Sequence, residues 1–73
     1  MPVSHQNVES IFTYHAPDPL QVAALNAVRE SAKALAHVIL DEVPQSADQQ
    51  AALRLLREAV MTANAAIVLH GEV

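Results

Sequence analysis

Residues 44–49 read PQSADQ, and this short stretch decides the fold because it separates two long segments that are compatible with helices. Pro44 lacks the amide hydrogen that a helix interior requires, so it ends the first segment. Ser46, followed three residues later by Gln49, forms the capping-box pattern that opens a second helix. A connection as short as this one predicts two antiparallel helices packed as an αα-hairpin.

Both flanking segments have the spacing of amphipathic helices. The first begins at Asp18 and Pro19, an acidic N-cap followed by a proline in the first turn. Apolar residues three and four positions apart then predict helices over about 19–43 and 47–70. Gly71, the single glycine, is predicted at the C′ position after the second helix. We therefore predict an all-α helical hairpin domain that spans residues 11–73.

The chain ahead of the first helix differs in character. Residues 1–10 are mixed and polar, and we interpret them as a separate segment that is either flexible or folded into a short turn. Residues 11–17 contain both aromatic side chains, and prolines at 17 and 19 favour an extended backbone. We predict an extended or short-helix tether that packs on the hairpin through Ile11 and Phe12 and returns to the open end of the two helices.

The composition favours assembly of several copies. Of 73 residues, 52% are hydrophobic and only 16% are charged, yet one Phe and one Tyr are the only aromatic residues. A domain of this size buries only about 60% of its unfolded surface. Two helices cannot cover all of this apolar surface, so we predict a compact homo-oligomer.

The same composition argues against several classes of function. Without cysteine, and with histidines at 5, 15, 37 and 70 in no ligand spacing, the sequence predicts no metal site and no cofactor. It offers no nucleophile–base pair and no glycine-rich phosphate loop, so we do not expect an enzyme. A net charge of −4 disfavours long nucleic acid, and no apolar run reaches the length of a membrane span.

A few polar residues are candidates for binding. With the turn near residue 45, residues of the two helices face each other when their numbers add up to about 90. This places Arg29 and Asn64 towards one end, to which the tether also brings Tyr14. Tyr14 could stack on a base or simply pack on the hairpin. Arg29 and Lys33, four residues apart, suit a phosphodiester, although with Glu30 they could equally form a solvated face.

Three segments of this sequence resemble a known family. They are FTYHAP at 12–17, VRESAKALA at 28–36 and REAVMTANAAI at 57–67. These segments look like those of the small phage proteins known as anti-CBASS cyclic-oligonucleotide sponges, whose hairpin domain also occurs in the anti-Thoeris sponges. The resemblance extends over residues 11–70, which is nearly the whole chain.

The resemblance implies a specific function. Members of the sponge family are hexamers that bind cyclic dinucleotide second messengers, such as cyclic GMP–AMP, between subunits without cleaving them. Such sequestration serves immune evasion by a bacteriophage, in the cytoplasm of the infected bacterial host. The family's stacking tyrosine maps to Tyr14 and its phosphate-binding cation to Arg29, and we add Lys33 as a second phosphate contact.

The resemblance also implies a second kind of site and leaves two alternatives. Some members bind cyclic trinucleotides at separate sites, whose residues map to His15, Ser31 and His70. His70 stands where the family often has arginine. One alternative is a sponge for cyclic ADP-ribose isomers, as in anti-Thoeris relatives. The other is a structural oligomerisation module in which Tyr14 only packs.

Overall fold

The structure is a computed structural model that describes residues 2–71. It contains three helices: α1 at Val8–Ile11, α2 at Pro19–Glu42 and α3 at Ala47–Val68. Helices α2 and α3 are antiparallel and pack along their lengths as a hairpin. The predicted all-α hairpin is confirmed, and the observed helices end one to two residues before the predicted ends. None of the helices in residues 2–71 has the length and apolar character needed to cross a membrane.

The start of α2 is fixed by a reciprocal capping box. The Asp18 side chain accepts a hydrogen bond from the Gln21 backbone amide at 2.8 Å. The Gln21 side-chain oxygen in turn accepts from the Asp18 amide at 3.0 Å. Pro19 occupies the first turn, where its missing amide hydrogen has no helical partner to lose. The predicted helix start is therefore observed, with a second half of the cap that the sequence analysis did not identify.

At the turn between the helices, the predicted capping box is only half formed. The Ser46 hydroxyl accepts from the Gln49 amide at 3.1 Å, as expected. The Gln49 side chain, however, donates to the Val43 carbonyl at 3.1 Å instead of returning to Ser46. Because Val43 has left the helix, its carbonyl needs a partner, and the buried Gln49 side chain supplies it. This bond ties the end of α2 to the start of α3.

Helix α3 ends two residues before the predicted boundary, and the C′ position moves by one residue. Because the helix ends at Val68, Leu69 is the C-cap and His70, not Gly71, takes the C′ position with a φ of 53°. The Gly71 amide donates to the Ala66 carbonyl at 2.9 Å and the His70 amide to the Ile67 carbonyl at 3.3 Å. This pair of bonds is the Schellman motif. Gly71 follows with a φ of 74°, so two consecutive residues are left-handed.

The isolated chain has very little interior. Among residues 2–71, Leu69 is the single buried hydrophobic residue, and no side chain is fully enclosed. Ile11 is half-buried, but Phe12 is 79% exposed, so the prediction that Phe12 packs on the hairpin is wrong for a single chain. The physical reason is that two helices form one layer, and no second layer covers the side chains that point away from the helix pair. Large apolar side chains outside that contact remain uncovered.

Candidate functional site

The tether, the first turns of α2 and the last turns of α3 enclose a pocket of about 370 Å³, which we name the tether pocket. Tyr14 and His15 line it from the tether, and Leu25 and Arg29 line it from α2. Asn64 belongs to the α3 wall. The antiparallel pairing thus brings together residues that are 50 positions apart in the sequence, as between Tyr14 and Asn64.

Two hydrogen bonds fold the tether back against α1. The Thr13 hydroxyl donates to the Glu9 carbonyl, and the His15 ring donates through Nε2 to the Ser10 carbonyl. The tyrosine between them is 85% exposed. Its neighbours are therefore held in place while its own ring stays open at the mouth of the pocket. Such a ring offers an aromatic face on which a planar group can stack.

Arg29 provides the positive charge of the tether pocket. Its Nη1 atom donates to the Asn26 side-chain oxygen at 3.3 Å, which is a bond between two residues of α2. A guanidinium group has five N–H donors in a planar fork, so this single bond leaves most of them available. A stacking surface and a fork of donors next to each other match the two parts of a nucleotide, the base and the phosphate.

Asn64 presents an unusual polar atom in the same pocket. It is half-buried, and its Oδ1 atom is buried without a hydrogen-bond partner among residues 2–71. A buried carbonyl oxygen without a partner costs about 1–3 kcal/mol. The sequence analysis had placed Asn64 at this end of the hairpin, but the pattern could not show whether a partner existed.

Gln21 is a residue that the sequence analysis missed. Besides its role in the α2 cap, its Nε2 atom donates to the Ile67 carbonyl at 3.2 Å and to the His70 ring at 3.1 Å. One side chain therefore connects the start of α2 with the end of α3. The spacing of Asp18 and Gln21 is that of a capping box, and this signal could have identified the residue.

Two further surfaces lie between α2 and α3, on opposite faces of the pair. We name the first the apolar groove; its volume is about 480 Å³, and its rim includes Ala27, Ser31, Leu35, Ala59 and Ala63. We name the second the cationic groove; its volume is about 270 Å³, and its rim includes Arg29, Lys33, Leu53, Arg57 and Met61. Ala32, Leu56 and Val60 contribute to both.

The other predicted site residues are distributed over these surfaces. Lys33 lies in the cationic groove, not in the tether pocket, and forms an exposed ion pair with Glu30 at 3.4 Å. Ser31 lies on the apolar groove, whereas His70 lies at the end of α3 in contact with Gln21. Within one chain, Tyr14, His15 and Arg29 come together, but Ser31 and His70 do not join them.

The histidine, aspartate and glutamate side chains are not clustered in the described part of the chain. Within residues 2–71, no group of three histidine, aspartate or glutamate side chains is close enough to hold one. The tether pocket itself presents an aromatic ring, an arginine and an asparagine.

One comparison with known proteins gave a match. The family model described as "Acb2/Tad1, hairpin domain" matches residues 4–68, which includes α1, the tether and both long helices. Searches of curated proteins and of solved structures gave no match. The match covers most of the chain, and membership of this family implies a cyclic-nucleotide sponge. The chain therefore belongs to the Acb2/Tad1 hairpin-domain family of anti-CBASS and anti-Thoeris sponges.

Proposed function

We propose that this protein binds and sequesters cyclic dinucleotides such as cyclic GMP–AMP, without cleaving them, and so blocks the activation of CBASS effectors. The place of action is the cytoplasm of a bacterium infected by the phage that carries the protein. The observation that carries this proposal is the tether pocket, which is lined by both the exposed Tyr14 and Arg29.

The chemistry of the pocket fits this ligand. Tyr14 stacks on a base, an interaction worth about 1–3 kcal/mol in nucleic-acid sites. Arg29 binds a phosphate, because its donor fork matches two phosphate oxygens. The negative charge of a cyclic dinucleotide phosphate can thus be neutralised locally, although the protein chain as a whole carries a net charge of −4. Lys33, one turn further along α2, supplies a second cation towards the phosphates.

The site is completed by other copies of the chain. The Tyr14 ring is 85% exposed, so in one chain it can cover only one face of a base. The large uncovered apolar residues, among them Phe12 at 79% and Leu20 at 83% exposure, give the surface through which copies associate. We propose a homo-hexamer in which the pocket between subunits places a tyrosine and an arginine from each of two chains around one cyclic dinucleotide.

Cyclic trinucleotides would occupy separate sites. The residues proposed for them, His15, Ser31 and His70, lie on three different surfaces of one chain. A single chain cannot bring these side chains to one small ligand, so such a site requires several subunits around a symmetry axis. The His15 Nε2 proton is already used by the Ser10 carbonyl, which leaves Nδ1 as the free ring nitrogen for this role.

Binding without cleavage is supported by the residues around the pocket. Among the described residues that line it, none is a carboxylate, and its histidine donates to the backbone of the tether. A hydrolase would need a general base or a metal-bound water next to the phosphodiester.

A binding panel with recovery of the ligand tests this function. The purified protein is titrated with cyclic dinucleotides, cyclic trinucleotides and cyclic ADP-ribose isomers, and the thermal shift is measured for each. After denaturation, the released ligand is analysed by mass spectrometry. Tight binding with intact release of a cyclic dinucleotide is the expected result, whereas hydrolysed ligand would identify an enzyme.

The same panel addresses the other possibilities. A response confined to cyclic ADP-ribose isomers would assign the protein to the anti-Thoeris type of sponge. No response to any ligand would leave an oligomerisation module as the better explanation. Light scattering on the same samples measures the number of subunits, which the proposal sets at six.

A further inference from the structure

The cationic groove concentrates the positive charge of this chain. Three of its four basic residues, Arg29, Lys33 and Arg57, line this one groove. The chain as a whole is acidic, with eight acidic side chains against four basic ones. Like charges close together on one surface repel each other, and a bound anion relieves this repulsion. The distribution therefore favours an anionic occupant.

The cations lie on both sides of the groove. Lys33 comes from α2 and Arg57 from α3, and the antiparallel pairing places these two positions opposite each other. Lys33 has one exposed ion pair, with Glu30 at 3.4 Å. Arg57 forms no hydrogen bond or ion pair with any other residue in the 2–71 range. Two cations that face each other across a groove can bind one anionic group from two sides.

The groove continues the tether pocket. Arg29 lines both of them, so the two surfaces share this residue. Between the cations, the floor of the cationic groove is apolar and includes Ala32, Ala36 and Leu56. An occupant that suits this surface has apolar faces and carries negative charge at its edge. A sugar–phosphate segment has this character, and a ligand whose base stacks on Tyr14 would carry one.

We propose that Arg57, together with Lys33, binds a phosphodiester group of the same ligand that occupies the tether pocket. This inference rests on the proposed function and extends its phosphate-binding residues from α2 to α3. Arg29 then binds the phosphate next to the stacked base. Arg57 and Lys33 bind the next phosphodiester group of the cyclic ligand. The guanidinium of Arg57 provides two parallel donors to phosphate oxygens, which a lysine cannot do.

Arg57→Gln is the decisive variant, and Arg54→Gln is its matched control. Both arginines are exposed on α3, and both changes remove one positive charge, but Arg54 does not line the groove. We expect Arg57→Gln to weaken binding of cyclic GMP–AMP on the order of 10-fold, because it removes a charge-assisted contact. Arg54→Gln is expected to bind within about twofold of the wild type, since distant exposed charges are screened by salt.

Two further measurements define the role of Arg57. The variant Arg57→Lys is expected to bind with an intermediate affinity, because it keeps the charge and loses the fork. The affinity of Arg57→Gln should also fall less steeply with added salt than that of the wild type, since one ligand-facing charge is gone.

The possible outcomes separate this inference from the proposed function. If Tyr14→Ala loses binding while Arg57→Gln binds like the wild type, the inference is overturned and the sponge function stands. Equal losses in Arg57→Gln and Arg54→Gln would overturn it as well, because the effect would be general charge. A changed subunit number in Arg57→Gln, measured by light scattering, would assign the residue to a contact between copies instead. If the wild type binds no cyclic nucleotide, the function and the inference fail together.

Discussion

The two ends of the hairpin differ in how far the chain completes its own contacts. At the turn end, residues 43–50, Ser46 and Gln49 bond to neighbouring backbone, and Gln50 bonds to the Gln49 side chain at 3.2 Å. At the open end, formed by the tether, the start of α2 and the end of α3, Tyr14 is 85% exposed. The Asn64 oxygen there has no partner among residues 2–71.

This difference indicates that the two ends of the hairpin have different roles. The turn end is closed by local contacts, so its role is to fix the pairing of α2 and α3. The open end has its polar and aromatic groups in place around a pocket, but the ring of Tyr14 remains exposed. A surface built in this way is suited to a second molecule, because its contacts become complete only when something binds.

The largest expected effect is at the open end. Tyr14→Ala should weaken binding of cyclic GMP–AMP by about 100-fold or more, since each stacked base contributes about 1–3 kcal/mol and two chains each lose a ring. Calorimetric titration measures the affinity. Tyr14→Phe is the matched control, because it keeps the aromatic ring in the pocket and removes only the hydroxyl group. Equal losses of affinity in both variants would contradict a stacking role for Tyr14.

The next effect is at the turn end and concerns stability. Gln49→Ala should lower the free energy of unfolding by about 2 kcal/mol, because the Val43 carbonyl loses its partner inside a buried contact. Chemical denaturation at equal protein concentration measures the loss. Gln45→Ala, at an exposed position of the same turn, should change little. A Gln49 variant as stable as the wild type would show that the turn end is not held by this bond.

A smaller loss is expected for the residue that connects the helix ends. Gln21→Ala should lower the free energy of unfolding by about 1 kcal/mol. The loss is modest because the side chain is half-buried, so water can bond to some of the groups that Gln21 leaves without a partner. Hydrogen exchange at the last turn of α3 should rise in the variant and not in Gln6→Ala, which alters an exposed glutamine. Unchanged exchange at that turn would mean that Gln21 caps α2 without joining the two helices.

The smallest effect should come from Asn64. Asn64→Leu should change the free energy of unfolding by less than about 0.5 kcal/mol, or raise it, because it removes a buried oxygen that has no partner. Gln49→Leu, the same type of change at the turn end, should be clearly destabilising. The comparison uses denaturation at matched concentrations. A large loss in Asn64→Leu would mean that its oxygen bonds to another copy of the chain in solution.

The parts of the fold that the sequence predicts well are those set by neighbours in the chain. Pro44, Ser46 and Asp18 act within one helical turn, so their effect can be inferred from spacing alone. The helix pairing then follows from the short connection. It was this pairing, and not any local pattern, that allowed Tyr14 and Arg29 to be placed at the same end. The structure puts both in the tether pocket.

The parts that escaped prediction depend on distant or competing contacts. Gln21 bonds to Ile67 and His70, which lie 46 and 49 positions further along the chain. A pattern of neighbouring residues cannot predict contacts over such a separation. His70 became the left-handed residue because α3 ended two residues before the predicted boundary, and helix ends result from a balance of weak bonds. Phe12 is exposed since a single hairpin offers it no second layer. In the proposed hexamer its environment would be set by other copies of the chain, and spacing within one sequence carries no information on that contact.

The scarcity of buried side chains in the described residues has a consequence for the lifetime of the protein in a cell. With Leu69 as the only buried hydrophobic residue there, an isolated chain has little to oppose opening, and open chains are what proteases degrade. Any molecule that binds only the folded form shifts this balance, by about 2.7 kcal/mol when its concentration is 100 times its Kd. Occupied molecules would then outlast empty ones, and the amount of this protein would follow the amount of the signal that it removes.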